Sequence, residues 1–426
     1  MSEPRPSRTF VALQHRNFRL LWAGQLVSMA GSMMQSAAIL WHVSLLVPPE
    51  RRGLALGMVG LVRVVPIVVL SLVAGVVADA VDRRRLLVAT QTGMALSAAA
   101  LAWVTFAGVH ALWPVYTLAA LSSAFGSFDG PARQSLVPNL VPREHLANAI
   151  SLNTIMFQSA AVVGPALGGL VIGGWGVGWA YALNAVSFLC VIAALLAMRG
   201  VPRRAGDGSA RITLAAAREG LKFVFRAPLI RSTMLLDFFA TFFASASALL
   251  PIFAQDILKV GARGYGMLSA APSVGALVTS VVLVRNIDRI EHRGRVMLWS
   301  VAGYGLATVV FGVSPAFWIT FACLAVTGAT DTVSMVIRNI IRQLNTPDEL
   351  RGRMTSVNMI FFMGGPQLGE LEAGLVAHGF GAVASVVSGG IGCMVATAWV
   401  AARTPMLRGY RREPPGPTAP SPGPSA

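Results

Sequence analysis

The sequence predicts an all-α integral membrane protein of twelve transmembrane helices, arranged as two six-helix bundles related by a pseudo-two-fold axis along the membrane normal. Three observations carry this. Hydrophobic residues make up 55% of the 426 positions and charged residues 12%, against ~25% charged in soluble domains, and mean hydropathy is +0.65. The cations fall in alternate loops. The chain also repeats itself at an offset near 205 residues.

Each span follows from an apolar stretch long enough to cross a ~30 Å hydrocarbon core. In order they cover 18–47, 54–78, 86–108, 112–128, 147–174, 179–198, 229–258, 265–284, 296–313, 315–337, 354–378 and 382–402. The first bundle is 18–198 and the second 229–402; a leader of 1–17, a linker of 199–228 and a Pro-, Gly- and Ser-rich tail of 403–426 complete the chain. The linker is basic, and its part from Leu214 to Phe225 reads as a surface amphipathic helix or a solvated connector. The tail reads as disordered.

Of 34 Lys and Arg, 29 lie in the loops on the side of the two termini and four on the other side, with Arg63 inside a span. The positive-inside rule then puts both termini in the cytoplasm. Trp113, Trp175, Trp179 and Trp318 mark the sparsely charged ends, as an aromatic belt does. The net charge of +16 is thereby explained by a membrane surface and not by nucleic acid. Cys190, Cys323 and Cys393 lie in apolar runs, so neither disulfides nor a metal site is expected. No nucleotide-binding loop, HExxH or serine-elbow pattern appears, so neither an enzyme nor a cofactor is expected.

The repeat is specific. Gly60-Leu-Val-Arg-Val-Val-Pro66 aligns with Gly266-Met-Leu-Ser-Ala-Ala-Pro272, and Asp82-Arg83 with Asp288-Arg289. Arg133 aligns with Arg338, Asn153 with Asn358, Gly164 with Gly369 and Gly169 with Gly374. Repeated bundles of this kind build secondary transporters, with the substrate site near the midplane between them.

The loop after span two, from Gly75 through Asp79, Asp82, Arg83 and Arg84 to Leu86, resembles the signature loop G-x-x-x-D-R-x-G-R-[KR] of the major facilitator superfamily. Ala80 and Asp82 depart from its Arg and Gly. Gly164-Pro165-Ala-Leu-Gly168-Gly169 in span five is similar to the G-P-x-x-G-G motif of that superfamily's exporter branch. The segments 129–138 and 347–358 resemble a bacterial exporter subfamily, that of the enterobactin exporter and macrolide efflux pumps. The resemblance implies the major facilitator fold, a bacterial inner-membrane location and alternating access. It also implies a latch in which Asp79 meets the start of span eleven near Met354 and Arg83 pairs with Asp129, the alternative being a basic loop that only sets orientation.

Charges at membrane depth cost roughly 2.5–3.5 kcal/mol each on insertion scales and mark functional candidates. Arg63 and Glu370 each stand sixteen residues above the cytoplasmic end of their spans, about 24 Å at ~1.5 Å per residue. Arg63 with Glu370 or Glu372 is therefore the expected outer gate, with Glu370 favoured because it replaces Pro165 of the first repeat. The other reading makes both glutamates interfacial charges. Asp331 stands seven residues from Arg338 on the same helix face and is expected to pair with it or to carry protons. Asp237 has no cation at helical spacing and is the expected proton carrier. Gln25, Gln35, Phe238, Phe242 and Phe361 are candidates to line a substrate cavity. The expected function is proton-coupled export of an amphipathic organic solute, siderophore-like or drug-like, by a monomer in the lipid bilayer. A lipid or lysophospholipid flippase and a transport-dead receptor are the alternatives.

Overall fold

A computed structural model describes residues 10–200, 222–243, 245–347 and 350–412. The proposed amphipathic stretch falls outside the described residues as far as Leu221, as does the tail from Glu413 onward. The expected disorder does not extend to the start of the tail, where Pro405–Arg408 forms a helical turn with Leu407 buried against the second half. Twelve helical segments cross the molecule. They are α1 (Arg16–Leu45), α2 (Arg52–Ala80), α3 (Arg83–Phe106), α4 (Leu112–Leu136), α5 (Leu146–Trp175) and α6 (Val177–Ala197), followed by α7 (Pro228–Phe243), α8 (Gly261–Asn286), α9 (Arg293–Val313), α10 (Phe317–Leu344), α11 (Arg351–Phe380) and α12 (Ala382–Arg403).

Two of the segments that differ from the hydropathy reading show why. Helix α4 runs past the apolar limit at Phe128 because Asp129 and Arg133 pair one turn apart on it, which satisfies both charges inside the fold. The segment begun by α7 is not one continuous helix. It breaks at Ser245, resumes as the 3-10 turn Ala246–Leu249, and ends in the π turn Phe253–Ile257. There the Ser245 hydroxyl lies between the Thr241 carbonyl of its own helix and the Pro366 carbonyl of α11 (3.1 Å), which ties the break to the neighbouring helix.

Local chemistry sets the helix ends. The Asp82 carboxylate accepts from the amides of Arg84 (3.0 Å) and Arg85 (3.1 Å) and caps α3. That accounts for an acid where the signature loop has Gly. Gly176 (φ 93°) joins α5 to α6, and Gly381 (φ 88°) joins α11 to α12. These glycines are 205 positions apart, so the sequence repeat is also a repeat of turns that need left-handed backbone.

The packing is two-fold. Helices α1, α5 and α6 associate as α7, α11 and α12 do, and α2, α3 and α4 as α8, α9 and α10 do. Between halves, α2 lies on α11 and α5 on α8. The largest apolar cluster runs through both halves toward the face opposite the termini, joining Met34, Leu40 and Tyr181 to Phe253, Tyr265 and Phe311. Toward the termini the core divides, with Phe18, Leu87 and Leu136 in one half and Leu236, Met297 and Ile337 in the other. Among the described residues the halves thus share one apolar core at the far face, whereas toward the termini each half keeps its own. Trp113, Trp175, Trp179 and Trp318 are all exposed at the far ends of their helices.

Candidate functional site

Two glycine seams close the far face. On α5 and α8, a Cβ added at Gly266 would lie 2.5 Å from Gly169 Cα and 2.7 Å from the Pro165 carbonyl. On α2 and α11, a Cβ at Gly57 would lie 2.9 Å from Gly374 Cα, and one at Gly60 would lie 2.8 Å from Glu370 Cβ. Real Cβ atoms do not approach so closely, so the backbones touch only because side chains are missing. The G-P-x-x-G-G motif is divided between two jobs. Gly164 and Gly168 face α1 at Ala30, Met33 and Met34, while Gly169 faces α8 across the halves.

Glu370 is the glutamate turned toward α2. Its Oε2 is buried, lies 3.2 Å from a Cβ built at Gly60, and has no hydrogen-bond partner. Arg63 lies on α2 one turn from Gly60, which faces Glu370. The expected salt bridge is nevertheless absent among the described residues, because no guanidinium nitrogen comes within the 4.0 Å of an ion pair. The Gln367 Oε1 atom, one turn away, is also buried without a partner. Glu372 is half-buried.

The far face carries a second closure that sequence reasoning missed. Arg52, at the start of α2, donates from Nη1 to both Asp256 oxygens (2.8 Å each) and from Nε to the Ser44 carbonyl (3.0 Å). Gln255 donates to Ser44 Oγ (2.6 Å), and the Tyr265 hydroxyl donates to the Ala37 carbonyl (2.9 Å). All three ties join the two halves. Neither Arg52 nor Asp256 carries a pattern in the sequence, since their separation is 204 residues.

Below the seams a cavity of about 780 Å³ lies between α4 and α5 of one half and α8 and α10 of the other. Gln134, Asn153, Thr154 and Gln158 line one side, and Ser273, Asp331 and Thr332 the other. Asp331 pairs with Arg338 (3.4 Å), as its spacing predicts. Asp237 does not lack a cation: Arg338 Nη2 lies 2.9 Å away and Arg342 Nη2 3.9 Å away. Both arginines come from α10, so the partners of Asp237 were invisible to helical spacing on α7. Asp237 is buried inside the second half and serves as the hub of that ion cluster.

The termini-face loops also differ from expectation. Asp129 is held by Arg133 on its own helix and by Gln91 Nε2 (2.7 Å), not by Arg83. Arg83 donates instead to the Ser135 carbonyl (3.0 Å), and Arg84 to the Leu196 carbonyl (3.0 Å). The i,i+4 partner on α4 wins because it is fixed to the same rigid helix. The side chain of Asp79 and the surroundings of Gly75 lie outside the described residues. Gln25 and Gln35 are buried on α1 and do not line the cavity; Gln35 Oε1 accepts from Asn184 (2.8 Å) inside the first half. Phe238 stacks on Phe242 (5.5 Å) and borders a separate apolar crevice of about 420 Å³ between α2 and α11. The side chain of Phe361 lies outside the described residues.

Over residues 7–413 the chain matches the family described as transmembrane secretion effector. It is 26% identical over 348 residues to the enterobactin exporter EntS of Shigella boydii serotype 18 and to that of Escherichia coli O1:K1, covering 82% of this chain and 83% of each relative. Among solved structures, a POT family transporter in complex with 5-aminolevulinic acid aligns with TM-score 0.73 at 10% identity over 92% of this chain and 96% of that one. A bacterial homologue of the iron transporter ferroportin in the inward-facing state aligns with TM-score 0.65 at 16% identity over 90% and 99%.

Proposed function

We infer function from family: the chain belongs to the transmembrane secretion effector family of the major facilitator superfamily, and is a multi-pass bacterial membrane transporter that exports an organic solute. We propose further that export is driven by protons, that both termini are cytoplasmic, and that the solute is amphipathic and siderophore-like or drug-like. The cation asymmetry of the loops supports the orientation. In that orientation the closed far face is periplasmic and the cavity opens to the cytoplasm. Both seams and the cavity are built within one chain, which supports a monomer.

Glu370 carries the proton-coupling proposal. Its oxygen is buried without a partner in a seam that must part whenever the outer face opens. Sealing an ionised oxygen there costs several kcal/mol, whereas a neutral acid is accommodated. An outside proton on Glu370 therefore favours closure and return to the inward-facing state. Its loss to the cytoplasm favours opening outward with solute aboard, and Arg63 is the cation available to the ionised carboxylate once the helices separate. The resulting exchange moves one species out as protons move in.

The test follows proton movement in inverted membrane vesicles while a catecholate siderophore, a macrolide or a lysophospholipid is added. Collapse of the pH gradient with one of these solutes, abolished by Glu370→Gln, is the expected result. Solute export that ignores the gradient, or that survives Glu370→Gln unchanged, refutes coupling at this residue. Movement of the lysophospholipid alone would make the chain a flippase.

A further inference from the structure

We propose that the exported solute carries a basic amine and that Asp331 is the carboxylate that receives it. The proposal rests on the export reading above and names the substrate class of the same cavity. Among the described lining residues of the 780 Å³ cavity, Asp331 is the single charged side chain. It lies on α10, facing the amides and hydroxyl of Gln134, Asn153, Thr154 and Gln158 on the other half.

The carboxylate is only partly committed to its own half. Arg338 meets Oδ1 at 3.4 Å but lies closer to Asp237, at 2.9 Å. Asp331 Oδ2 receives no hydrogen bond among the described residues, and the side chain is 43% exposed, whereas Arg338 is 2% exposed. A solute entering the cavity therefore meets the negative charge first, with the two arginines buried behind it. In surroundings of reduced dielectric that ordering attracts a cation and repels an anion. An ammonium can donate to the free oxygen in a charge-assisted bond. The amides opposite can either donate to carbonyls or accept from hydroxyls, and Phe157, Pro272 and Met335 offer apolar surface to the rest of the skeleton. The volume suits a drug-sized molecule. The site thus fits an amphipathic amine whose oxygens bridge to the first half, so that solute binding spans both bundles.

The experiment measures equilibrium binding to the full-length chain in lipid nanodiscs by calorimetry. The probes are a macrolide bearing a dimethylamino sugar and the same macrolide with that nitrogen made into a neutral amide. The amine is expected to bind the wild-type chain about tenfold or more tightly than the amide does. Asp331→Asn should erase that preference and Asp331→Glu should keep it, while Gln158→Ala should weaken both probes alike. An unchanged thermal midpoint in Asp331→Asn separates lost recognition from lost folding, since Arg338 retains Asp237. Equal affinity for the two probes, amine binding untouched by Asp331→Asn, or no binding of either probe at millimolar concentration overturns the assignment. The gradient assay is run on the same variants. Export of a neutral solute that is indifferent to Asp331 would end this inference and leave export standing, whereas a chain that exports nothing would end both.

Discussion

The two seams of the far face share a backbone and differ in chemistry. Gly266 meets Gly169 and the Pro165 carbonyl in one; Gly60 meets Glu370 in the other. Gly60 corresponds to Gly266, and Glu370 to Pro165, in the sequence repeat. Arg63 likewise stands where the sister seam has Ser269. Duplication therefore supplied two equal hinges, and substitution at two positions put an acid and a base into one of them. The α5–α8 seam is dry at those two positions, where it has Pro165 and Ser269, and meets a charge at its rim, where Arg263 lies against Gly173. The charged seam is the one in which we place proton coupling.

Steric wedges in the two hinges should have the largest effect and should be equal. Gly57→Leu in one and Gly266→Leu in the other each drive a side chain into the facing backbone, and close-packed contacts do not yield to that volume. Both variants should lose export and leave the far face accessible to a membrane-impermeant thiol reagent at a cysteine replacing Ser269. If one wedge is tolerated, the hinges are not equivalent.

Next comes the substitution that should separate the seams. Glu370→Gln is expected to abolish solute-dependent proton movement in vesicles, whereas Pro165→Ala should leave it within about threefold of wild type, as for a change outside the transition being driven. Loss of proton movement in Pro165→Ala would show that the dry seam also takes part in coupling.

The buried ion clusters give a smaller and purely structural contrast. Arg338→Ala leaves Asp237 buried with only Arg342 at 3.9 Å, a loss worth about 3–5 kcal/mol. It should lower the thermal midpoint in detergent more than Gln91→Ala does, because Asp129 would still have Arg133 on its own helix. Smallest of all is the clasp. Arg52→Ala removes a bidentate pair whose acid is 44% exposed, worth about 0–1 kcal/mol. By double electron–electron resonance across the far face it should raise the open population by no more than about fivefold. A larger rise would make the clasp, and not the glycine seams, the main closure.

Much of this was legible beforehand for definite reasons. Spans and loops follow from hydropathy and charge, which act on each segment without reference to its neighbours. The pairing of Asp331 with Arg338 was legible because both lie on one helix. The partners of Asp237 and of Asp129 were assigned wrongly, or not at all, where they required knowing which helix stands opposite. The clasp of Arg52 with Asp256 had no sequence signal of any kind. Gln35 was drawn toward the cavity by its polarity, yet Asn184 on α6 absorbs it.

By itself, then, the sequence determined twelve crossings, the duplication, and the short list of charges that membrane burial makes costly. Those are local or periodic properties, and lipid enforces them on each helix separately. Only the tertiary structure decided which face is closed, which glutamate turns into the seam, and which carboxylate lines the cavity. Each of those depends on the rotation of one helix against another, and that is fixed by glycine contacts and buried ion pairs between residues on different helices far apart in sequence.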